Sequence, residues 1–293
     1  MARFVLSAFA DEAGSTLPEQ IAALRDNEIE YIEPRKINGK GILSFSNAEI
    51  IEIKKVLDEN GIKVNSLGSP IGKYPIDSPF DVHFTEAKRA FEICNLLGAE
   101  NIRIFSFFTT QKRLSDNRAE VILRLKLLAN TAKKYGVTLC HENESKIYGQ
   151  MPREVLDILT SVPEIKGIFD PANYRMNGAD AIEGINATFK NFEYMHVKDA
   201  IYESQTIVPA GEGEGKIGEI LDMINEHTDK VVYLTLEPHL HTFDAYKDID
   251  GHELRGKYTF NSGREAFDYA AEALKKLLKE RGYSRNGENE WIK

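Results

Sequence analysis

The chain has 293 residues, of which 42% are hydrophobic and 28% are charged, a composition typical of a folded globular protein. Its formal net charge is −9 and its basic residues form no stripe, so we expect no nucleic-acid partner, because binding to a phosphate backbone requires clustered cations. No run of apolar residues approaches the roughly 18 needed to span a bilayer, and the N-terminal segment lacks the features of a secretory signal. We therefore expect a cytoplasmic protein that makes no contact with a membrane.

Short runs of β-branched and aromatic residues recur along the chain, and a helical pattern follows each of them. The predicted strands are residues 4–10, 30–34, 63–67, 101–105, 138–142, 165–170, 193–198 and 231–237. Their starts lie roughly 26 to 38 residues apart, which is the spacing of βα units rather than of hairpins.

Helix-boundary signals agree with this alternation. Ser46 with Glu49, and Ser262 with Glu265, have the spacing of a capping box at a helix start. Three helical patterns end in a glycine, the residue that most readily adopts the left-handed conformation there: Gly61, Gly98 and Gly136.

The repeat predicts a single α/β domain, a closed (β/α)8 barrel over residues 1–283, followed by a charged, frayed tail over residues 284–293. An open, doubly wound sheet is the alternative fold. That fold would carry a glycine-rich phosphate-binding turn after the first strand, whereas the sequence there is SAFADEAG. The barrel is therefore the favoured prediction.

Metal-ligand residue types stand at the ends of the last four predicted strands. The segments are HENE, FDPAN, MHVKD and LEPH, and they contain Glu142, Asp170, His196 and Glu237. Because a barrel of this kind builds its active site where strands end, we expect these side chains to converge on one rim. Three carboxylates and one imidazole suit a hard or borderline divalent ion such as Mn²⁺, Mg²⁺ or Co²⁺.

The same four segments, in this order, resemble the xylose-isomerase-like superfamily of sugar-phosphate isomerases and epimerases. SAFADE, GSPIGK and PAGEGEG extend the resemblance over nearly the whole chain. It implies one divalent ion, Mn²⁺ in most relatives and otherwise Mg²⁺, Co²⁺ or Zn²⁺, bound by Glu142, Asp170, His196 and Glu237. It also implies that Glu142 and Glu237 form the acid/base pair on either side of a small sugar.

The implied reaction begins with removal of a proton next to a carbonyl, through an enediolate whose charge the metal stabilises. A carboxylate on each face can then take a proton and return one, which is isomerisation or epimerisation. The predicted substrate-binding residues are Lys198, His239, Glu33 and Asn173. Lys198 faces the same side of its strand as His196, because side chains alternate. For Glu33, an ion pair with Arg35 is an equal alternative.

Two residues depart from the pattern of the relatives. Glu144 stands two residues after the first metal glutamate, where many relatives carry histidine, and Asn173 stands where some epimerases use histidine. Both differences leave the identity of the sugar open.

Other functions remain open at this stage. Elimination begins with the same proton abstraction, so a lyase similar to the inosose dehydratases is an alternative. Another is the barrel subunit of a C-glycoside deglycosidase, which acts on 3-keto-glycosides and binds a small partner subunit. A homo-oligomer is the other possible assembly, and the sequence does not reveal the oligomeric state. An endonuclease-IV-like nuclease would need further histidines at the ends of strands two and three. A non-catalytic sugar-binding barrel would not need the full ligand set.

Two loops beside the predicted strand ends are also candidates for binding. The segment 209–215 (PAGEGEG) is either a phosphate cradle or a rigid turn, and its glutamates favour the turn. The long segment 238–261, with His241 and His252, is predicted to be a lid, a binding loop or an interface.

Overall fold

The structure is a computed structural model that describes residues 1–109, 114–241 and 258–293. Its centre is a nearly closed parallel barrel, as predicted. The strands are β1 Arg3–Ala8, β2 Tyr31–Ile32, β3 in two parts (Lys63–Val64 and Ser66–Leu67), β4 Asn101–Ile104, β5 Thr138–Glu142, β6 Lys166–Phe169, β7 Phe192–Val197 and β8 Val231–Leu236. Each strand pairs with the next, and β8 pairs with β1 over the full length of β1.

Asn65 interrupts β3 and links three strands across the barrel. The first part of β3 pairs with β2 and the second part with β4, so the ring changes partners at this residue. Ser7 Oγ of β1 donates a hydrogen bond of 2.7 Å to Asn65 Oδ1, and Asn65 Nδ2 lies 3.4 Å from Thr235 Oγ1 of β8. Polar side chains therefore fill part of the barrel interior, and each has a partner there.

Helices surround the barrel, and their apolar faces pack on it. They are α1 Leu17–Asp26, α2 Asn47–Glu59, α3 Phe80–Leu96, α4 Arg118–Tyr135, α5 Pro152–Ser161, α6 Pro171–Met176, α7 Ala181–Thr188, α8 Ile217–His227 and α9 Gly263–Glu280. The part of the chain that the structure describes contains no helix long and apolar enough to cross a membrane. The residues 242–257 of the predicted lid, with His252, lie outside the described residues.

The helix-boundary predictions are confirmed at α2 and α4. Ser46 and Glu49 form both hydrogen bonds of the capping box at the start of α2. At α9 only half of the box forms, because Glu265 Oε2 accepts from the backbone N–H of Asn261 instead of Ser262. Gly136 ends α4 with φ of +71°, in the left-handed region that a residue with a Cβ adopts only at a cost.

A buried carboxylate organises the glycine-rich loop after β7. Asp199 accepts hydrogen bonds of 2.8–3.0 Å from the backbone N–H groups of Ala200, Gly211, Gly213 and Gly215. A Cβ on Gly213 would lie 2.3 Å from Asp199 Oδ1, so the loop needs glycine to close this tightly. Its N–H groups are occupied by the protein's own carboxylate, which supports the prediction of a rigid turn over that of a phosphate cradle.

The C-terminal residues are ordered, contrary to the expectation of a frayed tail. Ser284–Arg285 and Glu290–Ile292 form a hairpin whose second strand pairs antiparallel with β1, Phe4 opposite Trp291. Because β2 reaches only the end of β1, the first half of β1 would otherwise have an unpaired edge. Trp291 is 4% exposed and covers this part of the core.

Trp291→Ala should lower the free energy of unfolding by about 3–5 kcal/mol, because it leaves a cavity where a large buried side chain packs. Ile292→Ala, at a residue 36% exposed on the same strand, should lower it by less than about 1 kcal/mol. Urea denaturation followed by circular dichroism measures both. Equal, small effects would show that the hairpin contributes nothing to stability.

Candidate active site

The four predicted metal ligands meet at the mouth of the barrel. Glu142 ends β5, Asp170 caps α6 directly after β6, His196 lies near the end of β7, and Glu237 follows β8. One ligand atom from each lies within 4.8 Å of the others, and none of the four residues is more than 2% exposed. Parallel strands bring them together because their carboxyl ends share one rim.

Each glutamate presents one oxygen to the centre of this cluster and the other to an arginine. Glu142 Oε1 lies 3.1 Å from His196 Nδ1, while Arg103 Nη1 lies 3.3 Å from Glu142 Oε2. Glu237 Oε2 lies 3.7 Å from the same His196 nitrogen, while Arg35 Nη1 donates to Glu237 Oε1 at 3.0 Å. The two arginines therefore orient the carboxylates.

The contacts of the two His196 ring nitrogens show whether these residues fit a metal ion. Its Nε2 lies 3.3 Å from Glu33 Oε2, whereas Nδ1 forms no hydrogen bond of good geometry with any described residue and faces two carboxylates. With the ring proton on Nε2, the unprotonated Nδ1 lies 3.1 and 3.7 Å from carboxylate oxygens of Glu142 and Glu237, an arrangement that a cation bound to all three would stabilise. The donor set therefore fits a hard or borderline divalent ion.

The pKa shifts of the four residues reflect their burial and the charges of their neighbours. Burial would lower the pKa of His196, but the carboxylates of Glu142 and Glu33 outweigh it and raise the pKa to about 10. Burial would raise the pKa of Glu142, but the charges of His196 and Arg103 hold it at about 2. Burial raises the pKa of Asp170 to about 6 despite the nearby Lys198. The carboxylates around His196 therefore favour a positive charge at this place.

Lys198 lies beside the ligand set, on the side of β7 that was predicted. Its Nζ is 3.1 Å from Asp170 Oδ2 and 3.2 Å from Glu237 Oε2, and the residue is 5% exposed. A buried ammonium at this place partly neutralises the carboxylates and can donate a hydrogen bond to an oxygen held at the cluster.

The structure places the other predicted substrate-binding residues around the ligands. Asn173 Nδ2 lies 3.3 Å from Glu142 Oε1, and His239 Nε2 lies 3.4 Å from Glu237 Oε1. Glu33 is completely buried beneath His196, and its second oxygen accepts from the Tyr194 hydroxyl at 3.0 Å. This geometry favours a role for Glu33 in orienting His196; contact of Glu33 with a sugar stays a prediction.

Arg103 and the acidic pair after β1 were not among the predicted site residues, and Arg35, which was predicted only as an alternative partner of Glu33, pairs instead with Asp11, Glu12 and Glu237. Arg35 binds Asp11 in bidentate fashion at 2.9 and 3.0 Å, lies 3.3 Å from Glu12 Oε1 and also binds Glu237. Burial raises the pKa of Glu12 to about 7, although His239 and Arg35 oppose this. The available signal was an acidic pair after one predicted strand, a basic residue after the next, and Arg103 between the apolar residues Ile102 and Ile104 of β4.

Comparison with known proteins identifies the family. The sequence profile of the xylose isomerase-like TIM barrel family matches residues 21–249. The chain belongs to this family. A search of curated protein sequences returns no match.

Several solved structures have a fold similar to that of this chain. The IolI protein, whose structure contains a zinc atom, is 17% identical with a TM-score of 0.71, over 94% of this chain and 99% of that one. D-Psicose 3-epimerase from Clostridium cellulolyticum H10, with D-tagatose, is 17% identical with a TM-score of 0.68, over 94% and 98%. The probable 3-DHS dehydratase AsbF from Bacillus anthracis is 13% identical with a TM-score of 0.70, over 92% and 98%.

Asp170→Ala and His196→Ala should each lose most of the bound divalent ion, because each removes one of four ligands. Elemental analysis after loading with Mn²⁺ and desalting measures the metal content per chain. Glu193→Gln is the matched control, since Glu193 lies on β7 with His196 but is outside the ligand cluster. Full metal content in both ligand variants would contradict the assignment.

Proposed function

We propose that the protein is a divalent-metal-dependent enzyme that isomerises or epimerises a small sugar by moving a proton next to its carbonyl group. The observation that carries this proposal is the pair Glu142 and Glu237. Both are buried at one cluster of ligand atoms, both are held by an arginine, and they come from strands β5 and β8. Two carboxylates placed in this way can contact one substrate from two sides, so that one can remove a proton and the other can return one.

Mn²⁺ is the proposed ion, because three of the four ligands are carboxylates, which also suit Mg²⁺. The single imidazole is compatible with Co²⁺ or Zn²⁺ as well. When bound, the ion would supply positive charge for the negative charge that develops on a substrate oxygen as the proton leaves.

The residues of the chain itself would carry the proton. Arg103 lowers the pKa of Glu142, and Lys198 and His239 lower that of Glu237, each against the opposing effect of burial, and a bound cation would lower both further. Both carboxylates are therefore ionised at neutral pH and ready to accept a proton. A carboxylate of low pKa is a weak base, so the reaction requires a substrate whose proton is acidified at the same time.

Elimination is the second candidate, and one observation favours it. Lys198 Nζ and His239 Nε2 lie 3.2 and 3.4 Å from the two oxygens of Glu237. Either group can donate a proton to a leaving hydroxyl while Glu237 or Glu142 removes the proton next to the carbonyl. The same site would then act as a lyase, on an inosose or on a 3-keto-glycoside.

Glu142→Gln and Glu237→Gln should retain part of the metal and lose turnover by about 10²–10⁴-fold, because an amide oxygen binds the ion but accepts no proton at neutral pH. Steady-state kinetics together with metal analysis of the same samples measures this. Glu193→Gln again serves as the control. Near-normal turnover with metal bound would leave that glutamate as a ligand only, and the proton would have to move through Lys198, His239 or a water.

The type of reaction can be determined with the Mn²⁺-loaded protein in D₂O and a panel of ketoses, inososes and 3-keto-glycosides. Isomerisation or epimerisation should incorporate deuterium next to the carbonyl with all substituents retained. Elimination should release water or the glycosidic group. NMR and mass spectrometry follow both. No exchange and no product with any compound of the panel would contradict proton abstraction from a sugar.

A further inference from the structure

His239 has a strained backbone conformation where the chain leaves β8. Its φ is +47°, in the left-handed region that a residue with a Cβ adopts only at a cost. It lies two residues after the candidate ligand Glu237 and is only 1% exposed. Strain of this kind persists only where the surrounding structure fixes it, and it is concentrated at functional sites. Contacts from neighbouring elements must therefore hold His239 in this conformation.

Glu12 supplies the contact to the backbone of His239. Its Oε2 accepts a hydrogen bond of 2.7 Å from the His239 N–H, and Glu12 is 5% exposed. A carboxylate is a strong acceptor for such a donor. Glu12 ends the turn Ala10–Glu12 after β1, which lies beside the end of β8, since a hydrogen bond of 3.0 Å from the Phe9 N–H to the Leu236 carbonyl continues the pairing of the two strands. The bond from His239 to Glu12 therefore links the ends of the first and last strands of the barrel.

The turn that carries Glu12 is itself held in place. Helix α9 begins against it at Gly263, where a Cβ would collide with the carbonyl oxygen of Glu12. Arg35 binds Asp11 of the turn at 2.9 and 3.0 Å and lies 3.3 Å from Glu12 Oε1. Because the backbone and the carboxylate of Glu12 are both fixed, Glu12 can in turn fix His239.

Glu12 also contacts the ring of His239. Its Oε1 lies 3.5 Å from His239 Nε2, and the same nitrogen lies 3.4 Å from Glu237 Oε1. Arg35 bridges the two carboxylates, with Nη2 at 3.3 Å from Glu12 and Nη1 at 3.0 Å from Glu237. The backbone and the ring of His239 thus meet one carboxylate, and its position determines how the ring approaches Glu237.

We infer that Glu12 is a positioning residue for the reaction: by holding the left-handed turn at His239, it fixes the imidazole against Glu237. This inference rests on the proposed function, in which Glu237 moves a proton. Without Glu12, the backbone of His239 would relax to an ordinary conformation and the ring would turn away from Glu237. Glu12 is not one of the four candidate ligands, so its loss should leave the bound ion in place.

The first measurement follows the backbone of His239 by NMR. Protein prepared with ¹⁵N-labelled histidine contains seven labelled residues, and His239→Asn identifies the signal of His239. The protein is loaded with Mg²⁺, which does not broaden the signals as Mn²⁺ does. The His239 amide should exchange with solvent about tenfold or more faster in Glu12→Ala, because this variant lacks the charged acceptor. Glu12→Gln should retain slow exchange, since its amide oxygen can still accept from the His239 N–H.

Asp11→Asn is the matched control for this measurement. It removes a second buried carboxylate from the same turn and weakens the contact with the same Arg35, but it leaves the bond from His239 to Glu12 intact. The exchange rate of the His239 amide should therefore not change in this variant.

The second measurement is the turnover of the Mn²⁺-loaded variants with a substrate identified by the experiment in D₂O. In Glu12→Ala, kcat should fall about 10²-fold with unchanged metal content, because a catalytic site tolerates little displacement of its groups. Glu12→Gln should recover most of this loss. If Glu12→Ala does not fold, a large loss of turnover in Glu12→Gln with slow amide exchange retained overturns the inference on its own.

The outcomes separate this inference from the proposed function. Unchanged amide exchange in Glu12→Ala would overturn the inference, and so would normal turnover despite faster exchange. Equal losses of turnover in Glu12→Gln and Glu12→Ala would also overturn it, because Glu12 would then act through its charge and not by holding the turn. If no compound of the panel is turned over, the proposed function fails and the role of Glu12 in the reaction fails with it, whereas the exchange rates still decide whether Glu12 holds His239.

Discussion

The structure depends on the compensation of buried negative charge at the barrel mouth. Glu142, Asp170 and Glu237 are at most 2% exposed and lie within one small cluster. Removing an ionised carboxylate from water costs several kcal/mol unless opposite charges and hydrogen bonds replace the water. Arg35, Arg103 and the neighbouring Lys198 supply part of this replacement, and a divalent ion bound by the four candidate ligands would supply more.

This compensation divides the barrel into two functional halves. Strands β5 to β8 carry or lead to the four candidate metal ligands, whereas β2 and β4 lead to or carry the arginines that contact two of them. The arginines also line a cavity of about 600 Å³ between the loops after β2, β3 and β4. One pair of cations thus holds two of the candidate metal ligands and also lines the neighbouring cavity. Replacing either arginine would alter both properties together.

The sequence by itself determined the repeat of strands and helices and the four ligand positions. Strand β5 was predicted to the residue, and Ser46 with Glu49 marked the start of α2, because these signals are local in the chain. The ligand positions followed from a second rule, since the carboxyl ends of parallel strands share one rim of a barrel. Glu142 and Glu237 could therefore be placed together although they are far apart in sequence.

The tertiary structure alone decided which side chains pair when they are far apart in the sequence. Arg35, which follows β2, binds Glu237, which follows β8, and Glu33 lies next to His196 of β7. These contacts form because the pairing of the short β2 with the end of β1 places both side chains at the mouth of the barrel. The same short strand leaves the edge of β1 that Trp291 and its hairpin cover. Pairs separated by most of the chain leave no local pattern in composition or spacing. They exist only once the ring of strands has closed.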